Sequence, residues 1–267
     1  VHVVVPLGTY AGSYSGAITV KDDDGYPLET IGLGVTVLPS YDIDIADNEQ
    51  SLVGNIMALA DTVGGSPSGQ FRLVNPNSEG MNVDPDAFGN ADVTGVTYVA
   101  TDLTGPAGTI PAANVSFPGA PALLASGESD DVTLEVTIPA GQHEGVYTGT
   151  VTVSCAEGPL DVFTLEVTVG PAEAIALVGS PGVTVNHGEV GIGLFSVANT
   201  GNAELDNIVF EVTNLYDGLG HVINDYNVSF EPTSIETLEV GDTVDVQVHV
   251  VVPLGTYAGS YSGAITV

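Results

Sequence analysis

The sequence predicts an all-β fold: β-sandwiches in tandem, about seven strands each. Three observations carry this. Apolar and polar residues alternate in run after run. The stretches between the runs are turn formers. And the chain repeats itself, at two levels.

The alternation is strict where it occurs. Val132, Leu134, Val136 and Ile138 fall on one face of a strand, with Thr133, Glu135 and Thr137 on the other. Phe163, Leu165, Val167 and Val169 oppose Thr164, Glu166 and Thr168, and Val244, Val246, Val248 and Val250 oppose Asp245, Gln247 and His249. A period of two with one apolar face is the pattern of an antiparallel strand with one side on a core and one in water. No segment carries a sustained helical stripe.

Turn residues separate these runs. Lys21-Asp22-Asp23-Asp24-Gly25 and Ala156-Glu157-Gly158-Pro159 read as hairpin connections, because Gly, Asp and Pro each suit a tight reversal. Pro39-Ser40 and Gly170-Pro171 read as short linkers between domains.

Residues 1–20 and 248–267 are the same twenty letters, an offset of 247. A weaker repeat lies inside that period. Residues 138–153 align without gaps to 252–267, 113–119 to 226–232, and 71–83 to 195–207. The same landmarks in the same order predict two related domains per period. The expected divisions are 1–40, the closing strands of a truncated domain; 41–170, a domain with an inserted loop at 78–112; and 171–267, a domain lacking its last strands. The missing strands are the equivalent of 21–40. The domains therefore run out of phase with the chain. Either the chain is a window on a continuous array, or residues 21–40 complete the sheet of a neighbouring copy by strand donation. The overlap favours the array, since a donated 1–20 competes with 248–267 for one slot.

Composition bounds the partners. Thirty-four acidic residues face one Lys, Lys21, and one Arg, Arg72, for a net charge of −32. Such a field repels nucleic acid and anionic lipid and attracts divalent cations. It fits a saline extracellular setting or a general acidic bias of the source. The single cysteine, Cys155, leaves no disulfide within a period. No apolar run approaches the ~18 residues of a membrane span, so membrane insertion is not expected.

Three further elements carry a resemblance. They are Phe195, Val197, Asn199, Gly201 and Asn202; then Asn227 to Phe230 with Pro232; then Pro253, Gly255, Gly259, Tyr261 and Gly263. Together they resemble bacterial and archaeal immunoglobulin-like modules of the cell-adhesion-related (CARDB-like) kind, found in large surface proteins and appended to some glycosidases. The first domain departs from the pattern: Asn75-Pro76-Asn77 stands where the second has Asn199-Thr200-Gly201-Asn202. The resemblance implies an immunoglobulin-like sandwich and an extracellular or cell-surface location. It brings no catalytic residue. It also makes Tyr147 and Tyr261 structural, as tyrosines that hydrogen-bond back to a loop on entering a late strand.

The inventory for catalysis is poor, and no enzyme is expected. His2, His143, His187, His221 and His249 sit in no motif with a nucleophile, and no zinc spacing or phosphate loop is present. Calcium is the one cofactor with candidate ligands, because it takes six to eight hard oxygens. Asp42, Asp44, Asp47 and Glu49 follow the first linker, Asp22, Asp23 and Asp24 tip a hairpin, and Asn82, Asp84, Asp86, Asn90 and Asp92 lie in the inserted loop. None completes an EF-hand. Asn114-Val115-Ser116 and Asn227-Val228-Ser229 are N-x-S sequons at equivalent positions, candidates for glycosylation. Lys21 is the one lysine available for an isopeptide cross-link, at an exposed turn.

The functional expectation is a non-catalytic structural repeat of an extracellular filament or stalk, with copies of itself as partners. The alternatives are an adhesin or surface-layer module with its site on loop 78–112, and an accessory domain of a secreted hydrolase.

Overall fold

The computed structural model describes residues 1–46, 52–77 and 89–267. The described secondary structure is antiparallel strands and two single-turn 3-10 helices. The chain divides into two units: Val1–Pro139 with Gly145–Val169, and Ala140–Glu144 with Gly170–Val267.

The first unit is a β-sandwich of two sheets around one core. One sheet runs in the order Gly108–Ile110, Leu103–Gly105, Gly145–Cys155, Gly158–Gly170, Ile56–Thr62, Leu52–Val53, with Thr97–Ala100 also on Gly145–Cys155. The other runs Val115–Ser116, Ser129–Val136, Ser68–Val74, Asp44–Ala46. The alternation read from the sequence is what closes them on each other. Val132, Leu134, Val136 and Ile138 are at most 1% exposed, and Phe163, Leu165, Val167 and Val169 at most 2%. Phe71 from one sheet meets Phe163 from the other at 5.0 Å between ring centroids. Each such side chain contributes about 1.5–3 kcal/mol by leaving water.

The second unit is built on a four-stranded sheet, Ile175–Val178, Val190–Asn199, Thr243–Val251, Val228–Glu231. Three two-stranded ladders complete it: Leu205–Val209 with Ser234–Leu238, Glu211–Val212 with Ile265–Thr266, and Leu215–Tyr216 with Val222–Ile223. Its core is thinner. Nine buried apolar residues cluster there, against twenty-four among the described residues of the first unit.

The same kind of internal clamp recurs within each unit. Asn75 is fully buried and donates from Nδ2 to the carbonyls of Ala91 (3.0 Å) and Leu124 (3.1 Å). Asn199, 2% exposed, donates from Nδ2 to Ala203 (2.8 Å) and Leu238 (2.9 Å). Their backbones are matched too: Asn75 N–H donates to Glu128 O and Gly127 N–H to Asn75 O, as Asn199 N–H donates to Asp242 O and Gly241 N–H to Asn199 O. A buried amide that satisfies two loop carbonyls fixes where the loop returns to the strand.

Residues 12–37 form a ladder of their own within the first unit. Gly12–Lys21 and Pro27–Val37 form a two-stranded sheet that no third strand joins among the described residues. The segments that flank it are tied down by Asn90. Its side chain accepts from Ser40 N–H (2.7 Å) and donates to Leu38 O (3.1 Å), while its own carbonyl accepts from Ala11 N–H (3.0 Å).

Candidate functional site

The hairpin of residues 12–37 is a second copy of a hairpin inside the first sandwich. Gly12 pairs with Val37 and Val20 with Glu29; the register then slips between Val20 and Lys21, and Lys21 pairs with Pro27. Gly145 pairs with Val169 and Val153 with Asp161; the register slips between Val153 and Ser154, and Ser154 pairs with Pro159. The two ladders match pair for pair, bulge included. Only the turn differs. Residues 22–26 close on a bond from Asp22 N–H to Tyr26 O, whereas Cys155 pairs directly with Gly158.

What differs is burial. Tyr147, Val151, Val153, Phe163, Leu165 and Val167 are at most 1% exposed. Their counterparts Tyr14, Val20 and Ile31 are 45%, 52% and 62% exposed, and Ile18, Leu33 and Val35 are half-buried. The hairpin thus carries a core face with no core beneath it.

The second unit shows the complementary deficit. Its residues 259–267 repeat the letters of 12–20 and sit where Gly145–Val153 sits in the first unit. The surroundings agree atom by atom. A Cβ on Gly149 would meet Leu103 Cδ2, Thr101 Oγ1 and Asp102 O; one on Gly263 would meet Leu215 Cδ2, Thr213 Oγ1 and Asn214 O. Thr101 Oγ1 accepts from Thr150 N–H at 2.9 Å, and Thr213 Oγ1 from Ala264 N–H at 2.9 Å. Thr148 bridges Thr104 as Ser262 bridges Tyr216. One edge of 259–267 is therefore covered as its counterpart is.

The other edge is open. In the first unit Gly158–Gly170 lies between Gly145–Cys155 and Ile56–Thr62. In the second, Ile265–Thr266 ladders among the described residues with Glu211–Val212 alone, and residues 181–187, which precede Val190–Asn199 as Ile56–Thr62 precedes Ser68–Val74, form no strand. Between them is a cavity of about 900 Å³, lined by Phe195, Leu215, Val228, Val248, Val250 and Ile265 among others. The lining is mixed: Ser180, Thr184, Asn186 and Ser262 face the same space as the apolar side chains.

The end of this edge strand is held by two contacts. Tyr261 Oη donates to Tyr257 O at 3.0 Å, the same bond that Tyr14 makes to Tyr10 O at 2.8 Å. Tyr257 in turn stacks on His221, with centroids 4.2 Å apart. Asp217 organises that loop: Oδ1 accepts from the backbone N–H of Leu219 and His221, and Oδ2 lies 2.6 Å from His221 Nδ1. Burial opposes the Asp217 charge, but the bonds from His221 and Leu219 outweigh it and hold its pKa below the usual carboxylate value. The same carboxylate, together with burial as the larger cause, raises the Tyr261 phenol.

The candidate calcium ligands are placed as follows. Asp22 Oδ1 accepts from Tyr26 N–H at 2.7 Å and so closes its own turn, with Asp23 and Asp24 exposed beside it. Asp42 is half-buried and Asp44 buried. Asp92 Oδ1 accepts from Ser126 N–H at 3.0 Å, and Asn90 holds the flanks of the hairpin. Asp47, Glu49, Asn82, Asp84 and Asp86 lie outside the described residues. Among the described residues no three His, Cys, Asp or Glu converge as a metal site.

Both sequons end a 3-10 turn. Asn114 Nδ2 donates to Thr137 O at 2.7 Å, and Asn227 Nδ2 is buried without a partner. The Asn114 bond lies at the surface, whereas Asn227 Nδ2 is enclosed. Cys155 is buried, its Sγ 3.1 Å from Glu157 Oε2. Lys21 is exposed at the end of its strand. No helix among the described residues is long and apolar enough to cross a membrane.

Sequence reasoning missed two parts of this site. Thr101-Asp102-Leu103 and Thr213-Asn214-Leu215 are the matched flanks of the edge strand, but three letters outside the aligned blocks carry too little signal. The Asp217–His221–Tyr257 contact joins residues far apart in sequence.

No protein-family model matches the chain, and no curated protein matches it. Solved structures do. A family 123 glycoside hydrolase from Clostridium perfringens matches at 14% identity and a TM-score of 0.36, over 49% of this chain. This chain spans 27% of that enzyme's length. The CsuC–CsuE chaperone–tip adhesion subunit complex of Acinetobacter baumannii Csu pili matches at 12% identity and a TM-score of 0.28, over 79% of this chain and 97% of that one. The C-terminal domain of the Streptococcus agalactiae BspA polypeptide matches at 10% and 0.25, over 84% and 97%.

Proposed function

We propose that the chain is a non-catalytic structural repeat of an extracellular filament or stalk, with a period of 247 residues and copies of itself as neighbours. One observation carries this reading. Residues 1–20 and 248–267 are the same twenty letters, and the ladder of 12–20 with 29–37 repeats that of 145–153 with 161–169 pair for pair. A module that recurs at a fixed offset along one sequence is the signature of a quasi-one-dimensional repeat series. The immunoglobulin-like pattern, and the resemblance to CARDB-like modules of surface proteins, support the extracellular setting. The net charge of −32 keeps such a series soluble and makes its lateral packing dependent on cations. Electron microscopy of the purified material at raised ionic strength tests the reading. Filaments with one constant axial repeat support it, and discrete particles at every concentration and salt overturn it.

A further inference from the structure

We propose that Gly89-Asn90-Ala91 and Gly201-Asn202-Ala203 are one docking site built twice, and that its ligand is the base of the closing hairpin of the module before it. This deepens the repeat reading and rests on it.

The two sites match bond for bond. In the first unit Asn90 Nδ2 donates to Leu38 O (3.1 Å), and Asn90 Oδ1 accepts from Ser40 N–H (2.7 Å). Asn90 N–H donates to Ser40 O (3.0 Å), and Asn90 O accepts from Ala11 N–H (3.0 Å). In the second unit Asn202 Nδ2 donates to Gly170 O (3.1 Å), and Asn202 Oδ1 accepts from Ala172 N–H (2.5 Å). Asn202 N–H donates to Ala172 O (3.0 Å), and Asn202 O accepts from Glu144 N–H (3.1 Å). The ladders set the correspondence independently. Gly12 pairs with Val37 as Gly145 pairs with Val169, so residue 11 answers to 144, 38 to 170 and 40 to 172. One asparagine thus grips a hairpin at both ends, before its first strand and where its second strand finishes.

The bonds explain the letters. The site reads only backbone groups of its ligand, so it needs no fixed side chain there. Leu38-Pro39-Ser40 fills one site and Gly170-Pro171-Ala172 the other. Proline stands between the two bonded residues both times; it has no N–H to leave unpaired and it suits an extended backbone. Glycine precedes each asparagine because the incoming chain passes close. A Cβ on Gly89 would lie 3.2 Å from Asp42 N and O, and one on Gly201 would lie 2.3 Å from Ala172 O and 2.8 Å from Ala174 N. Alanine ties each site to its own module, since Ala91 O and Ala203 O accept from the buried clamps Asn75 and Asn199. The longer sequence of the first domain, 76–88 against Thr200 alone, enters between clamp and docking site. Ala140–Glu144, which falls by sequence within 41–170, packs with the second unit.

Amide exchange in the full chain tests the site from both sides. Asn90→Ala is expected to deprotect Ser40 and also Ala11, whose own bond is to the backbone at 90, each exchanging about tenfold faster, while residues 161–169 stay protected. Asn202→Ala is expected to do the same to Ala172 and Glu144, with residues 246–250 unchanged. Ser40→Pro removes the N–H from the ligand and leaves the sandwich untouched, so it decides the matter where Asn90→Ala also loosens 161–169; it is expected to deprotect Ala11. Spin labels on Thr19→Cys and Thr62→Cys, in a chain carrying Cys155→Ala, are expected to give one narrow distance that broadens with Ser40→Pro. Variants that deprotect only Ser40 or Ala172, with Ala11 and Glu144 still protected and the distance still narrow, overturn the docking site, whatever microscopy of the filament shows. The full pattern in a chain that forms only discrete particles upholds the site and overturns the repeat reading alone.

Discussion

Tyr14 holds the place on the free hairpin that Tyr147 holds in the first sandwich, yet Tyr147 is fully buried and Tyr14 keeps 45% of its surface exposed. The ladders around them are the same, so the difference is the presence or absence of a facing sheet. Burial here belongs to the assembly of elements and not to the hairpin itself.

That difference sets a first pair of outcomes. Tyr147→Ala removes a ring packed under Gly105, where a Cβ would strike it. It is expected to cost about 3–5 kcal/mol in urea unfolding of the first unit. Tyr14→Ala in the dispersed chain is expected to change stability by no more than ~0.5 kcal/mol.

The paired asparagine clamp gives a second. Asn199→Ala leaves the buried carbonyls of Ala203 and Leu238 without their donor, at a cost of about 2 kcal/mol or more. Asn75→Ala does the same to Ala91 and Leu124. Thermal unfolding of each variant is expected to lower the transition of its own unit and leave the other in place.

Acid acts on the second unit in two directions. The lowered pKa of Asp217 means that its contribution is full above the unfolded value, near pH ~4, and is lost as pH falls through the folded value. Asp217→Asn is expected to lower the melting temperature at pH 7 and to have little effect near pH 2. Glu204 is the reverse case, its pKa raised by the charge of Glu239 and then by a hydrogen bond to it. The proton it shares is favourable at low pH and is lost as pH rises through the raised value. Glu239→Gln is expected to raise the melting temperature at pH 7 and to change nothing near pH 3.

Charge controls association in the same way. Two copies at −32 each repel, and the Debye length falls from about 30 Å at 0.01 M salt to about 8 Å at 0.15 M. Oligomer fraction by light scattering is expected to rise with salt. Divalent cations should act at lower concentration than sodium, and chelation should reverse only their part.

Much of the fold was legible because strand faces follow a period of two. Val132 to Ile138, Phe163 to Val169 and Val246 to Val250 all lie buried as the alternation requires. The twenty-residue identity exposed the two edges of the candidate site. What the letters did not carry was the shape around them. Asn90 reads as one more oxygen in an acidic loop, and the letters do not show that its amide bonds Leu38 and Ser40. Asn114 and Asn227 read alike as sequons, yet one amide bonds Thr137 O at the surface and the other is enclosed. Polar side chains like these look alike in sequence, and only the backbone groups that folding brings near them decide what they do.

The most direct measurement is amide hydrogen exchange at residues 29–37, followed from the dispersed chain to concentrated material in raised salt. A two-stranded hairpin alone is marginal in water, so these amides are expected to exchange fast when dispersed. On assembly they should become as protected as those of residues 161–169. Amides that exchange equally fast in assembled material would contradict the claim that this hairpin is covered by a neighbouring repeat.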